Sequence, residues 1–196
     1  MKRSFRLITM IALACSAVAA HAALIFDDLP TFTNLTEEYA GFGVHSDGAS
    51  QVQGGIGNGD PGNWELEGTN GSKFLGNNGG ANYTTSLLFD SGLSWIDFDI
   101  SRSLGSAAGD TWQARIYDAS DVLIGSQSGD FNPVNSWTNV AFNIGGIRRL
   151  EIQSFGSDFR PYGIDDVNLA PVPEPATLLV VGGGLAAFLR RRRSRT

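Results

Sequence analysis

The sequence predicts an all-β protein whose middle, residues 23–170, forms a β-sandwich. Two observations carry this. No stretch of the middle sustains the 3.6-residue apolar period of a packed helix. Short alternating apolar runs recur instead, bounded by clusters of Gly, Asn, Ser, Thr and Asp. Seven or eight such runs with turn signals between them have the spacing of two packed sheets.

The chain opens with Lys2, Arg3 and Arg6, then an apolar run over residues 7–20, then the small-x-small triplet Ala20-His21-Ala22. That order reads as a signal peptide over residues 1–22, with the mature chain starting at Ala23. The alternative is a degenerate lipobox at Ala12-Leu13-Ala14-Cys15, with Cys15 lipidated. Cys15 is the sole cysteine, so the exported middle has no disulfide and draws its stability from a core or a structural metal.

Leu24-Ile25-Phe26 is the first expected strand. Residues 46–85 are rich in Gly and Asn, with little β-pattern, and read as a long polar loop. Ser86-Leu87-Leu88-Phe89 is a strand ended by a turn at Asp90-Ser91-Gly92. In residues 95–100, Ile96, Phe98 and Ile100 share one face, and Trp95, Asp97 and Asp99 the other. Residues 111–117 and 122–124 flank the polar turn at 118–121 and read as a hairpin. Residues 137–142, 149–152 and 164–169 supply the remaining strands.

The tail has three unlike parts. Pro173-Glu174-Pro175 is stiff and extended, because each proline fixes its own φ and restricts its predecessor. Residues 176–189 carry no charge, and Thr177 is their only polar side chain. Arg190, Arg191, Arg192 and Arg193, with Arg195, form a basic stop. As a helix the apolar run spans about 21 Å, short of a hydrocarbon core of about 30 Å, and snorkelling arginines close the gap. A transmembrane helix over residues 176–189 is therefore expected.

This combination resembles the PEP-CTERM sorting signal of bacterial surface proteins, over residues 171–196. The resemblance implies recognition of Pro173, Glu174 and Pro175 by an exosortase-type processing enzyme, after export through the Sec machinery. It also implies a Gram-negative host that makes extracellular polysaccharide. Residues 87–169, through Trp137-Thr-Asn-Val-Ala-Phe142, Ile147-Arg-Arg-Leu-Glu-Ile152 and Tyr162-Gly-Ile-Asp-Asp-Val-Asn-Leu169, resemble the jelly-roll, carbohydrate-binding-module-like ectodomains found beside that signal. A plain C-terminal anchor is the alternative for the tail.

All 20 Asp and Glu lie between Ala23 and Pro175, against six basic residues there, which leaves the segment at −14. Such a domain repels nucleic acid and anionic surfaces. The other eight basic residues flank the two apolar segments, which keeps those ends cytoplasmic and exports the acidic middle.

Nucleophilic chemistry is poorly supplied: His45 is the one histidine left after the signal peptide, and no Gly-x-Ser-x-Gly elbow occurs. No catalytic residue is assigned. The enzymatic alternative is a glycan-active enzyme using the pairs Glu37-Glu38 or Glu65-x-Glu67. Calcium suits the abundant carboxylates better than zinc suits one histidine. Asp165 alternates with Val167 and Leu169, so it faces the core if they do, and a buried carboxylate needs a partner. In carbohydrate-binding-module-like sandwiches a residue resembling Asp165 helps hold a structural calcium, and Asp27 and Asp28 after the first strand complete the expected site. Trp64, beside carboxylates and amides in a turn-rich stretch, is the candidate stacking platform for a sugar; Trp95 and Trp137 fall opposite the apolar faces of their strands and read first as cover for a second sheet or caps on the core edge, and second as sugar platforms. The expected function is a non-enzymatic, exosortase-sorted surface or matrix protein that binds extracellular polysaccharide.

Overall fold

The structure is a computed structural model that describes residues 22–54, 66, 68–69, 73–77, 82–103, 107–157 and 160–171. The strands are β1 (Ala22–Leu24), β2 (Val44–Ser46), β3 (Gln51–Gly54), β4 (Lys73–Asn77), β5 (Thr84–Arg102), β6 (Thr111–Tyr117), β7 (Leu123–Asp130), β8 (Thr138–Phe142), β9 (Ile147–Phe155) and β10 (Tyr162–Pro171). A single 3₁₀ turn, Ala40–Phe42, precedes β2. All pairings are antiparallel.

Two layers result, and β5 belongs to both. Its first half pairs with β9 and β2, and β9 continues through β6 to β7. Its second half pairs with β10 and β8, and β10 continues to β4, β3 and β1. On one edge of β5, β8 and β9 run as a single partner from Thr138↔Ile100 to Gln153↔Thr84. The polar triplet Asp90-Ser91-Gly92 is not a chain-reversing turn. The strand passes through it and changes layer there, which a register break between Leu88 and Leu93 accommodates. The partner's crossing lies alongside, with Gly146 at φ +90 donating its N–H to Leu93 O at 2.8 Å. Only glycine adopts that conformation without strain. An extra residue at Ser94 then shifts the alternation, so Leu87, Phe89 and Leu93 face the core in one layer and Ile96, Phe98 and Ile100 in the other.

The main core lies between the layers and includes Leu24, Phe26, Val52, Leu75, Leu87, Phe98, Ile116, Leu150, Ile152, Ile164 and Val167, all fully buried. A smaller cluster of Leu66, Phe74 and Trp137 packs elsewhere. Gly163 belongs to that second contact: a Cβ there would stand 2.5 Å from Leu66 Cδ2 and 2.7 Å from Phe74 Cδ2. Trp137 is thereby packed against apolar neighbours, and Leu66 contradicts a purely polar loop over residues 46–85.

That stretch also contains β3 and β4, whose polar residues are buried in a hydrogen-bonded seam. Ser50 Oγ lies 2.6 Å from Thr85 Oγ1, and Asn77 Nδ2 donates to Thr84 O at 2.8 Å. Thr85 Oγ1 lies 2.7 Å from the Tyr162 hydroxyl, which donates to Ile152 O at 2.8 Å. Ser50, Asn77 and Tyr162 come from one layer, and Thr85 and Ile152 from the other. Burial pushes the Tyr162 phenol well above its ordinary value.

Replacing Tyr162 by Phe should cost about 1–3 kcal/mol, because Ile152 O and Thr85 lose a partner in a site closed to water. Urea unfolding measures this. A variant as stable as wild type would mean that the seam does not join the layers.

Candidate functional site

Two short strands, β4 and β1, share one edge of β10. β4 takes Tyr162, Gly163 and Ile164, and β1 takes Val167, Asn168 and Leu169. Between them β10 carries a bulge: Asp165 pairs with Asp99 and Asn168 with Asp97, so two residues of β10 stand opposite Phe98. Asp166 absorbs the irregularity with φ 49, in the left-handed region that aspartate tolerates better than most residues. The bulge changes the phase of the strand. Val167 and Leu169 face the core, but Asp165, paired with Asp99, sits one step out of phase with core-facing Phe98 and Ile100. The expectation that Asp165 points with Val167 and Leu169 is corrected accordingly.

Asp165 is nevertheless fully buried. Thr69 covers it: its N–H donates to Asp165 Oδ2 at 2.7 Å and its hydroxyl lies 3.0 Å from the same oxygen. The hydroxyl also contacts the Asp166 carboxylate. The other oxygen of Asp165, Oδ1, is buried and has no hydrogen-bond partner. Burial pushes the carboxyl up to about 6, against the pull of the Thr69 N–H. The ionised form therefore weakens the fold by on the order of 2–3 kcal/mol at neutral pH.

Asp27 and Asp28 follow β1 toward the same junction. Asp27 Oδ1 accepts the N–H of Lys73, the first residue of β4, at 3.1 Å. The Lys73 ammonium donates to two main-chain carbonyls, Asp27 O at 3.1 Å and Leu29 O at 2.6 Å. Asp28 Oδ1 accepts the Tyr39 hydroxyl at 2.6 Å. Burial and the Asp28 contact raise the Tyr39 phenol, and the charge of Asp165 reaches it too. Asp97 and Asp99 lie on the paired strand, where Asn168 Nδ2 donates to Asp97 Oδ1 at 2.8 Å and Asn139 Nδ2 to Asp99 Oδ1 at 2.9 Å. Burial raises the Asp99 carboxyl, and Asp166 and Asp97 add to this.

The junction is thus acidic, built on backbone irregularity, and carries one orphaned oxygen beside one tethered cation. Thr69, Lys73 and Asp166 were not anticipated. Lys73 had a signal, as the sole lysine of residues 23–170. Among the described residues no group of three or more His, Cys, Asp or Glu is arranged to hold a metal.

His45 bridges two carboxylates, Nδ1 to Glu37 Oε2 at 2.6 Å and Nε2 to Asp90 Oδ1 at 3.0 Å. The Glu37 contact, with Asp90, raises its pKa. Glu38 turns away from this pair and accepts the N–H of Thr36 at 2.5 Å. Trp64, Glu65 and Glu67 lie outside the described residues, as do Pro173, Glu174, Pro175, residues 176–189 and the arginines 190–193. No helix among the described residues is long and apolar enough to cross a membrane.

β10 ends at Pro171, where the tail begins. Residues 171–193 match the PEP-CTERM protein-sorting motif. No curated protein matches the chain. Among solved structures, the K2 cleaved adhesin domain of Lys-gingipain is 12% identical, with a TM-score of 0.50, over 76% of this chain and 99% of that one. The K1 cleaved adhesin domain of Lys-gingipain from Porphyromonas gingivalis W83 is 12% identical with a TM-score of 0.47, over 78% of this chain and 99% of that one. TmCBM61, solved in complex with β-1,4-galactotriose, is 16% identical with a TM-score of 0.42, over 74% of this chain and all of that one. At these identities the likeness is one of fold alone.

Proposed function

We propose that this is an exported surface or extracellular-matrix protein, held at the inner membrane by its C-terminal segment until an exosortase-type enzyme processes it at Pro173-Glu174-Pro175. The carrying observation is the sorting motif over residues 171–193, starting where the last strand stops. The sandwich is non-enzymatic in this reading. Glu37 is engaged by His45 and Glu38 by Thr36, so these two glutamates hold different partners. Replacing Pro173, Glu174 and Pro175 by alanine should leave the tail attached and the protein in the inner membrane. Mass spectrometry and fractionation read this, and wild-type processing of the variant would refute the sorting role.

The finer part of the proposal is binding of extracellular polysaccharide, with Trp64 as a stacking platform. Its support is the residue's setting in Asp60-Pro61-Gly62-Asn63-Trp64, beside Glu65 and Glu67. A platform of this kind contributes about 1–3 kcal/mol, so Trp64→Ala should weaken binding to the host polysaccharide roughly 5- to 150-fold with unchanged melting. A large drop in melting temperature would make Trp64 a packing residue instead.

A structural cation at Asp165 is the second proposal, with Asp27 and Asp28 nearby. The observation favouring it is the buried, unpartnered Oδ1. Calcium would bind the ionised carboxylate and supply the missing partner. The folded pKa of Asp165 lies above its unfolded value, so the protein in EDTA should be most stable below about pH 4 with respect to this group. That contribution is lost as pH rises through about 6. Calcium should restore melting temperature at pH 7, and Asp165→Asn should remove both the pH step and the calcium response. Equal rescue by magnesium or matched salt would mean that screening of the acidic surface, not a site, is responsible.

A further inference from the structure

Both chain ends of the sandwich leave from one end of it. β1 and β10 are antiparallel neighbours, with Ala22 opposite Leu169, so the strand after the first apolar segment starts where the strand before the second one stops. The layer crossings lie at this same end, since Pro171 pairs with Leu93 and Leu93 with Ile147. Three loops accompany them. Residues 143–146 join β8 to β9, residues 118–122 join β6 to β7 next to the Tyr117↔Leu123 pair, and Phe42 lies two residues before Val44, which pairs with Phe89.

These loops carry apolar side chains turned to solvent. Phe42 is 63% exposed, Val122 55%, Leu123 51% and Ile144 39%. They make up half of the eight exposed large hydrophobics among the described residues, although they occupy one end of the domain. The carboxylates beside them have partners within the protein. Asp121 Oδ1 is 2.6 Å from Arg149 Nη2, Asp118 Oδ1 accepts the N–H groups of Ser120 and Val122, and Asp90 meets His45.

We propose that this end of the sandwich rests on the lipid surface while the C-terminal segment is anchored, with Phe42, Val122, Leu123 and Ile144 as its apolar contacts. The inference rests on the anchoring reading above. Chain length supports the lipid surface as the occupant. Only residues 172–175 separate Pro171 from the apolar run 176–189. Fully extended, the five steps from Pro171 to Ala176 reach no more than roughly 18 Å. An anchored tail therefore confines the loop tips to the immediate neighbourhood of the headgroups. Apolar tips of this size sit at the boundary between headgroups and acyl chains. The tether keeps their effective concentration at the membrane on the order of millimolar, so contacts too weak to hold a free domain suffice for a tethered one. Cleavage at the sorting motif removes the tether, and the same weak contacts then release the sandwich.

The test uses the chain from Ala23 with its tail intact, which has no cysteine of its own, reconstituted in zwitterionic phosphatidylethanolamine–phosphatidylcholine vesicles, because the acidic excess of residues 23–170 repels an anionic surface. Single cysteines are placed at Leu123 and Ile144, at Phe155 on the opposite end, and at Phe188 within the apolar run, and each is labelled with an environment-sensitive fluorophore. Spin-labelled lipids then serve as quenchers. The expected result is a blue shift and quenching at positions 123, 144 and 188, with neither at 155. Quenching at 188 with probes at 123 and 144 as water-exposed as that at 155 would overturn the proposal and leave the anchor standing. Equal quenching at 155 would also overturn it, because the domain would then lie on its side. Absence of quenching at 188 would remove the anchoring reading and this inference with it.

Discussion

One strand holds the two layers in a fixed relation. β5 supplies hydrogen-bond partners to β2 and β9 with its first half and to β10 and β8 with its second. A sandwich assembled from separate sheets is held mainly by apolar contact, which tolerates sliding. Here the covalent chain of β5 and the parallel crossing of residues 143–146 fix the offset between layers at one end. The hydrogen-bonded seam from Ser50 through Thr85 and Tyr162 to Ile152 fixes it elsewhere. Every other placement follows. Because β10 must lie along the second half of β5, its bulge falls where β4 and β1 meet, and the acidic junction is a by-product of that meeting.

Legibility in the sequence tracked the simplicity of the physics. Residues 111–117 alternate without interruption and form β6 with those bounds, and Ile96, Phe98 and Ile100 face the core together. β3 and β4 were hidden because they bury polar groups: Gln53 is buried, and Asn77 looks like a loop residue until Thr84 and Thr85 of β5 are brought beside it. β2 is three residues long, too short to show a period. Asp90-Ser91-Gly92 has turn composition for a real reason, since the chain does bend there, but composition does not distinguish a reversal from a change of layer. At the junction, Asp165, Asp27 and Asp28 could be named from carboxylate chemistry and strand order. Thr69 could not, because its contact with Asp165 spans about a hundred positions of chain; Lys73 stood out only as the sole lysine of residues 23–170, with nothing to say what it would hold; and the bulge that decides the phase of Asp165 leaves no mark in a two-residue alternation.

The acceptors of the junction are unevenly supplied with donors. Main-chain carbonyls of residues 27 and 29 are already claimed by the Lys73 ammonium, while Asp165 Oδ1 has no hydrogen-bond partner among the described residues. An ammonium is a point charge with three donors, and two of those of Lys73 are directed at main-chain carbonyls. The acidic cluster is therefore partly self-neutralised and partly open. That division is a property of where Lys73 enters β4, not of the number of carboxylates, which the composition alone would emphasise.

The position of β10 also fixes an order of events. It lies between β5 on one side and β4 and β1 on the other, yet it is the last strand to be synthesised. Until residues 162–171 have been made and moved out, β1 and β4 present unpaired edges to a strand that does not exist. Closing the layer then requires a pairing between positions as far apart as 22 and 169. Such distant pairings form slowly, and open edges invite wrong partners in the interval. A chain that emerges N-terminus first is thus kept from finishing its fold until β10, the last of the described strands, has been made. Completion of the sandwich and arrival of the apolar run are separated by residues 172–175 alone.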